Sequence, residues 1–461
     1  MINPAKFEEL DLRVELLAAL SAINYDEMTP VQEKSLPPML AGKDVLAQAK
    51  TGSGKTAAFG LAVLNKLKVN AFHCQALILC PTRELADQVA RELRRLASAT
   101  ANVKILSLCG GAAFGPQLAS LQHNPHIVVG TPGRIHKHLR KDSLQLGELK
   151  ALVLDEADRM LDMGFSDEIN AILKFVPKNR QTLLFSATFP PSIEAVSRQV
   201  QRNAQSIQVT DTEVAPQIIQ SWCATTREDR QTAIHRALRA WGGELNLIFC
   251  NTKIDCIALL DYLKSHQIAA VALHGDLEQA ERNEALVRFS NRSASVLVAT
   301  DVAARGIDIK DLDFVFNFEL PKQAEVYIHR IGRTGRAGNS GKAISLVDSK
   351  EEWRWQDIAE LQPDAYVEKL ALPDPQRGID SLKPKMQTIR LDGGRRNKLR
   401  PGDILGALTA DGGVNGKQVG SIDLFDTCAY VAIATELAKH AAKQLNSRPI
   451  KKKKYRARLL R

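Results

Sequence analysis

The chain has 461 residues, 44% apolar and 25% charged, with a formal net charge of +10. That length exceeds one comfortable core and predicts about three domains, and the composition excludes a fibrous or wholly disordered protein. No apolar run reaches the ~18–20 residues needed to span a bilayer and the first thirteen residues carry no signal-like stretch, so a cytoplasmic protein with no membrane partner is expected.

Short apolar runs bounded by turn residues alternate with helical patterns: Asp44–Ala47, Ala76–Cys80, His126–Val129, Ala151–Leu154 and Thr182–Phe185. A second series follows at Asn246–Cys250, Ala270–Leu273, Ser295–Ala299 and Phe314–Phe318. The alternation predicts two tandem α/β domains with parallel sheets, residues 1–208 and 218–370. A proline-containing linker is expected at 371–384 and a small α+β domain at 385–461. In the last, Gln387–Leu391 and Ala429–Ile433 alternate as strands, with Ile389 and Leu391 inward and Arg390, Cys428 and Tyr430 outward. Helices are expected at Pro401–Leu408 and Ile433–Leu445, and a strand at Lys454–Leu459.

The positive charge is localised. Residues 381–461 carry 18 Lys and Arg against 6 Asp and Glu, a balance of +12, which leaves −2 for the rest. A basic module of this kind attracts a polyanion through counterion release, with a solvated tail as the bland alternative. The run Lys451–Lys454 also admits a nuclear-address reading, against which the alternating strand around it favours a structural role. The seven cysteines, Cys74, Cys80, Cys109, Cys223, Cys250, Cys256 and Cys428, have no metal-ligand spacing and read as reduced, mostly buried thiols.

Ala49-Lys50-Thr51-Gly52-Ser53-Gly54-Lys55-Thr56 follows a strand and leads into an Ala/Leu-rich helix. Its glycines allow backbone N–H groups to approach phosphate oxygens at a helix N-terminus. Lys55 would reach the β- and γ-phosphates of ATP and Thr56 would ligate Mg²⁺, although Ala49 replaces the first glycine of the general pattern. Asp155-Glu156-Ala157-Asp158 closes another strand, where Asp155 would hold the metal and Glu156 would orient and deprotonate the attacking water.

Together with Pro81-Thr-Arg-Glu-Leu-Ala86, Thr131-Pro-Gly-Arg134, Ser186-Ala-Thr188, Thr300-Asp-Val-Ala-Ala-Arg-Gly-Ile-Asp308 and His329-Arg-Ile-Gly-Arg-Thr-Gly-Arg336, this ordered set resembles the DEAD-box RNA helicases over about residues 1–370. The resemblance implies two RecA-like domains and an ATP hydrolase that separates RNA strands locally. It implies that Gln32 in Thr29-Pro-Val-Gln32 reads adenine, with Tyr25 where the family has phenylalanine. It places Arg333 and Arg336 on the transferring phosphate when the domains close, Asp308 near the ribose or its water network, and Ser186, Thr188 and His329 between the ATP and RNA surfaces. RNA backbone contacts are implied for Arg83, Gly111, Thr131, Gly133 and Arg134, and for Thr252, Gly275, Gln279, Arg282, Thr300 and Asp301.

The segment Leu391–Leu408 and the Arg-Ala-Arg-Leu-Leu ending resemble the C-terminal domain of the bacterial DbpA subgroup, a fold like the RNA-recognition motif. That fold usually stacks bases on two or three outward aromatics, whereas this chain offers only Tyr430. Recognition by charge and shape is expected instead, through Arg390, Arg395, Arg396, Lys398, Arg400, Lys454, Arg456 and Arg458. The subgroup implies anchoring on a hairpin of large-subunit ribosomal RNA beside a duplex, and work on ribosome assembly intermediates. An ATP-gated RNA clamp without productive unwinding is the alternative, and a DNA helicase is disfavoured by the motif set.

Overall fold

The computed structural model describes residues 5–49, 52–208, 218–304, 312–335, 341–360, 362, 367–374, 382–410 and 413–460. The described residues fall into two compact units, the first ending at 208 and the second beginning at 218. No helix among them is long and apolar enough to cross a membrane.

The first unit is built on seven parallel strands: β1 Val45–Gln48, β2 Ala76–Leu79, β3 Ile105–Leu108, β4 Ile127–Gly130, β5 Ala151–Leu154, β6 Gln181–Ser186 and β7 Gln205–Gln208. Their order is β3-β4-β2-β5-β6-β1-β7. Successive side chains enter opposite layers, which is why the strands read as unbroken apolar runs. Ile78, Val129, Val153 and Phe185 join one core, and Leu77, Leu79, Val128, Leu154 and Leu184 join the other. The motif loops after β1, β2, β4, β5 and β6 leave the carboxyl ends of these strands, the edge at which open α/β sheets bind ligands.

The second unit repeats the plan with β8 Ile218–Thr225, β9 Asn246–Cys250, β10 Ala270–Leu273, β11 Val296–Thr300, β12 Phe314–Asn317, β13 Gly341–Asp348 and β14 Val367–Lys369, in the order β10-β11-β9-β12-β13-β8-β14. It continues into four antiparallel strands, β15 Met386–Leu391, β16 Val419–Leu424, β17 Ala429–Ala434 and β18 Ala457–Leu459, ordered β16-β17-β15-β18. With helices Pro401–Thr409 after β15 and Ala438–Ser447 after β17, this is the β-α-β-β-α-β plan of an RNA-recognition-motif-like fold. Ile389, Leu391, Ala429, Val431 and Ile433 pack under the two helices.

Several expectations shift. Ile433 lies in β17, and the helix expected from it starts at Ala438, because Ile433 fills the core as a strand residue. Only Ala457–Leu459 of the expected Lys454–Leu459 strand is laddered, since Ile450 pairs with Lys453 in a tight turn with Lys451 and Lys452 at φ 49° and 65°. The expected linker is partly fastened: Leu372 and Leu382 pack on the second parallel-sheet core, and Arg236 Nε donates to Pro373 O at 2.7 Å. The seven cysteines are buried and free.

Candidate active site and nucleic-acid interface

The glycine turn expected to bind phosphate stands between β1 and the helix Lys55–Asn65. Gly54 begins that helix at φ +90°, and a Cβ there would lie 2.5 Å from Gln32 Nε2 and 2.9 Å from Thr29 Oγ1. Lys50 and Thr51 lie outside the described residues; Gly52 (φ +89°) and Ser53 are exposed or half-buried, and Thr56 is half-buried on the first turn. Ala49 is buried, and its N–H donates to Ser186 O at 2.8 Å.

Lys55 Nζ stands 3.1 Å from Asp155 Oδ1 and 3.8 Å from Glu156 Oε1, with all three side chains buried. Burial opposes the lysine charge, but Asp155 and Glu156 outweigh it and hold Lys55 above its ordinary value. Burial raises Asp155, with Lys55 opposing. The Asp155 carboxylate is fully buried and leans on Lys55, and acidic oxygens beside the half-buried Thr56 hydroxyl are a donor set that fits a hydrated divalent cation. Glu156 holds a left-handed backbone (φ 52°, ψ 53°), and its Oε2 takes Arg159 Nη1 at 2.6 Å.

Gln32 is bonded to the glycine turn beside it. Its amide is 3% exposed; Nε2 donates to Gly54 O at 3.0 Å and Oε1 accepts from Thr29 N at 2.8 Å, while Thr29 Oγ1 donates to Ser53 O at 2.8 Å. The glutamine thus fastens the phosphate turn to the start of the helix Pro30–Leu40. Tyr25 donates to Glu92 Oε1 at 3.2 Å and lies under Arg95, so its ring packs on the helix Arg83–Leu96.

Asp158, to which the sequence reading gave no role of its own, bonds to the Ser186-Ala-Thr188 turn. Its Oδ2 accepts from Ala187 N (3.1 Å), Thr188 N (3.2 Å) and Thr188 Oγ1 (3.3 Å), and Ser186 Oγ donates to Thr188 O at 2.6 Å. The acidic tetrad and the Ser186-Ala-Thr188 turn therefore form one hydrogen-bonded body. The sequence marks Asp158 only as the last residue of the Asp155-Glu-Ala-Asp158 motif and says nothing of its partners.

A second surface forms where the loops after β2, β3 and β4 meet. The Arg83 guanidinium lies across the Gly110-Gly111 turn, so that a Cβ on Gly111 (φ +76°) would fall 1.6 Å from its Nη1. Thr131 precedes the helix Pro132–Arg140 and accepts from Gly110 N at 3.5 Å; Gly133 is exposed with open space where a side chain would stand. Arg134 donates to Ala112 O at 3.0 Å and to Gln117 Oε1 at 2.6 Å. The five residues expected to touch RNA in the first unit are thus brought together.

In the second unit Thr252, Gly275, Gln279, Arg282, Thr300 and Asp301 lie at or beyond the carboxyl ends of β9, β10 and β11, half-buried or exposed. Asp301 is gripped by Arg330 through Nε (2.6 Å) and Nη2 (2.7 Å). Arg330 is 1% exposed and also donates to Asn251 Oδ1, Asn317 Oδ1 and Glu319 O, which ties the ends of β9, β11 and β12 to its own helix, Ala324–Ile331. A bidentate carboxylate of this kind is an organising group. His329 is half-buried and Arg333 is buried; Asp308 and Arg336 lie outside the described residues.

The outward face of the C-terminal sheet is covered. Tyr430 is 2% exposed and packs with Cys428 against Val287 of the helix Gln279–Ser290, with Phe425 edge-on at 5.5 Å. Thr388 Oγ1 accepts from Asn291 Nδ2 at 2.9 Å, and Arg390 Nη1 lies 3.7 Å from Glu284 Oε2. Tyr430 and Arg390 were expected to meet RNA; here they dock the module on the second parallel-sheet domain. Alternation assigned the correct face but had no knowledge of what covers it. The remaining basic residues stay in solvent: Arg395, Arg396, Lys398 and Arg400 in the turn after β15, and Lys454, Arg456 and Arg458 towards the end. Lys451 Nζ donates to Lys398 O at 2.9 Å and Asp392 N to Arg456 O at 2.9 Å, which joins the two stretches into one edge.

Known proteins agree with this geometry. Residues 29–196 match the DEAD/DEAH box helicase family, 228–338 the helicase conserved C-terminal domain and 388–459 the DbpA RNA binding domain. The ATP-dependent RNA helicase DbpA of Escherichia coli is 52% identical over 96% of this chain and 97% of its own length. The chain belongs to the DEAD-box RNA helicases, in the DbpA subgroup. DEAD-box helicases hydrolyse ATP, and this one carries the subgroup's RNA-binding domain. CshA of Listeria monocytogenes is 44% identical over 75% of this chain and 66% of its own length, so its likeness is narrower. Among solved structures, S. cerevisiae Dbp5 bound to RNA and ADP BeF3 is similar with TM-score 0.73 at 32% identity, covering 80% of this chain and 96% of that one. A structure of Mss116p bound to single-stranded RNA and AMP-PNP gives TM-score 0.71 at 27% identity, over 80% of each chain.

Proposed function

We propose that this DEAD-box helicase anchors through its C-terminal module on a hairpin of large-subunit ribosomal RNA and separates strands of an adjacent duplex during assembly of the large ribosomal subunit in the cytoplasm. The observation that carries the reading is the continuous exposed basic edge of Arg395, Arg396, Lys398, Arg400, Lys454 and Arg456 in a module whose stacking face is covered. Charge along an edge suits a folded RNA, because phosphate contacts position a protein without reading base sequence.

In the ATP site, Lys55 and the glycine turn would hold the triphosphate, and Thr56 and Asp155 would hold Mg²⁺, which would supply charge neutralisation when bound. Glu156 orients and deprotonates water, while Arg333 and Arg336 stabilise the charge that develops on the transferred group. Gln32 retains one amide N–H and one oxygen lone pair beyond its bonds to Gly54 and Thr29, which is the pair an adenine edge needs. The Asp158 bonds to residues 187 and 188 support a role for Ser186 and Thr188 in relaying nucleotide state to RNA.

ATP turnover measured with the ribosomal hairpin, with a generic duplex and with DNA tests the reading, for the full chain and for a chain ending at residue 384. Hairpin preference must vanish with the module; equal preference in the truncated chain overturns the anchoring. Strand displacement on a hairpin-linked duplex separates a helicase from an ATP-gated clamp.

A further inference from the structure

The helix Pro132–Arg140 carries more cations than the RNA surface described above uses. Gly133, Lys137 and Lys141 follow at intervals of four and so share one face, running about 12 Å along the axis. Lys137 and Lys141 are both exposed. Arg134, Lys137 and Lys141 converge on the single ring of Phe114, with their charged groups 6.0, 5.6 and 5.0 Å from its centre. None of the three has a carboxylate within ion-pair distance among the described residues. Gathering like charges without a counter-charge is unfavourable until an anion arrives. Two lysines in a last helical turn also complement the helix dipole, but that would not direct them onto one ring beside Arg134.

The ring is itself built in. Phe114 stacks on His138 at 4.3 Å with the planes 13° apart, and His138 is fully buried. Gln117 Oε1 accepts both from His138 Nε2 (3.1 Å) and from Arg134 Nη1 (2.6 Å), and Gln117 Nε2 donates to Cys109 O at 3.1 Å. The layer of Phe114, His138 and Gln117 therefore presents Arg134 from below and gives the lysines an apolar, partly desolvated floor, on which a cation–anion contact is stronger than in open water.

We propose that Lys137 and Lys141, seated on Phe114, form a further phosphate-binding stretch that extends the RNA path of the first unit beyond Arg134 along this helix. The proposal rests on the reading that Arg83, Gly111, Thr131, Gly133 and Arg134 face the RNA backbone. The contact is to phosphate, so it is indifferent to base identity. One face of Phe114 is occupied by His138, and the cations hold the remainder as a charged rim.

The test uses the full chain, an oligouridine of about 20 nucleotides and a nonhydrolysable ATP analogue, with affinity measured across a salt series. Removing two lysines that each neutralise a phosphate of a single strand lowers the slope of log affinity against log salt by about 1.4. The Lys137→Ala/Lys141→Ala variant is expected to show that drop with an unchanged melting temperature, since both side chains are exposed. Arg134→Ala, measured in parallel, reports on the underlying surface. Weaker binding by Arg134→Ala with an unaltered slope in the lysine variant overturns the extension alone. Unaltered affinity and slope in both variants overturn the extension and the surface reading together.

Discussion

Asn291, just past the helix Gln279–Ser290, donates through Nδ2 to Thr388 Oγ1 in β15 at 2.9 Å, and Thr388 donates in turn to Ser293 Oγ at 2.7 Å. This buried contact ties the RNA-binding module to the same helix that carries Gln279 and Arg282 at its other end. Glu244, bridged to Arg292 and Lys385, adds a second tie, and the two cations hold its carboxyl below the usual range.

Val287→Asp places a carboxylate against Tyr430 and Cys428, where desolvating it costs several kcal/mol, so the module should undock. Limited proteolysis is expected to cut near residues 371–384 faster in this variant. Hairpin affinity should stay within about twofold, since the basic edge lies elsewhere and remains free to meet phosphate. A tenfold loss of hairpin affinity would show that the docked face reads RNA after all.

Asp158→Ala removes the acceptor for three donors of residues 187 and 188. Hydrogen bonds to a charged group contribute roughly 1.5–3 kcal/mol each, so the turn loses its registry with the acidic tetrad. Nucleotide binding should persist while RNA stimulation of turnover falls at least about tenfold.

Glu156→Gln keeps the size of the side chain and its left-handed backbone but removes the proposed base. RNA-stimulated phosphate release should fall below about one-hundredth, with ATP affinity retained, as expected for loss of general-base catalysis. Full turnover in a folded Glu156→Gln protein would end the assignment.

Gly54→Ala forces a Cβ to 2.5 Å from Gln32 Nε2 at φ +90°, a strain on the order of 1–3 kcal/mol. Loss of ATP binding by equilibrium titration is expected even though Lys55 remains.

His138 is pushed down to about 4 by burial, with Arg134 and Lys137 adding repulsion. The unfolded chain protonates near 6.5 and the folded one only near 4, so the unfolded state binds more protons in between and stability declines as pH falls from about 6.5 to 4. The contribution lost is on the order of 2–3 kcal/mol, and chemical denaturation of wild type against His138→Gln over that range should show a shallower decline in the variant.

The ATP site was readable because its requirements are local. A glycine turn, a lysine and a threonine stand consecutively, and Asp155 and Glu156 end an apolar strand, so the two stretches could be expected to belong together, and the structure sets Lys55 Nζ 3.1 Å from Asp155 Oδ1. The partners of Arg330 and Asp158 were not readable, since they stand 11 to 79 and 29 to 30 residues away.

Alternation along Gln387–Leu391 and Ala429–Ile433 determined by itself which side chains leave the module's core, because a strand's period of two is a property of the backbone. Localised charge likewise marked the module as the basic part of the chain. Whether Tyr430 meets a nucleobase or Val287 was decided only by the tertiary structure. An outward face is defined relative to its own core, and its occupant depends on a helix about 140 residues earlier in the chain, whose approach no local pattern encodes.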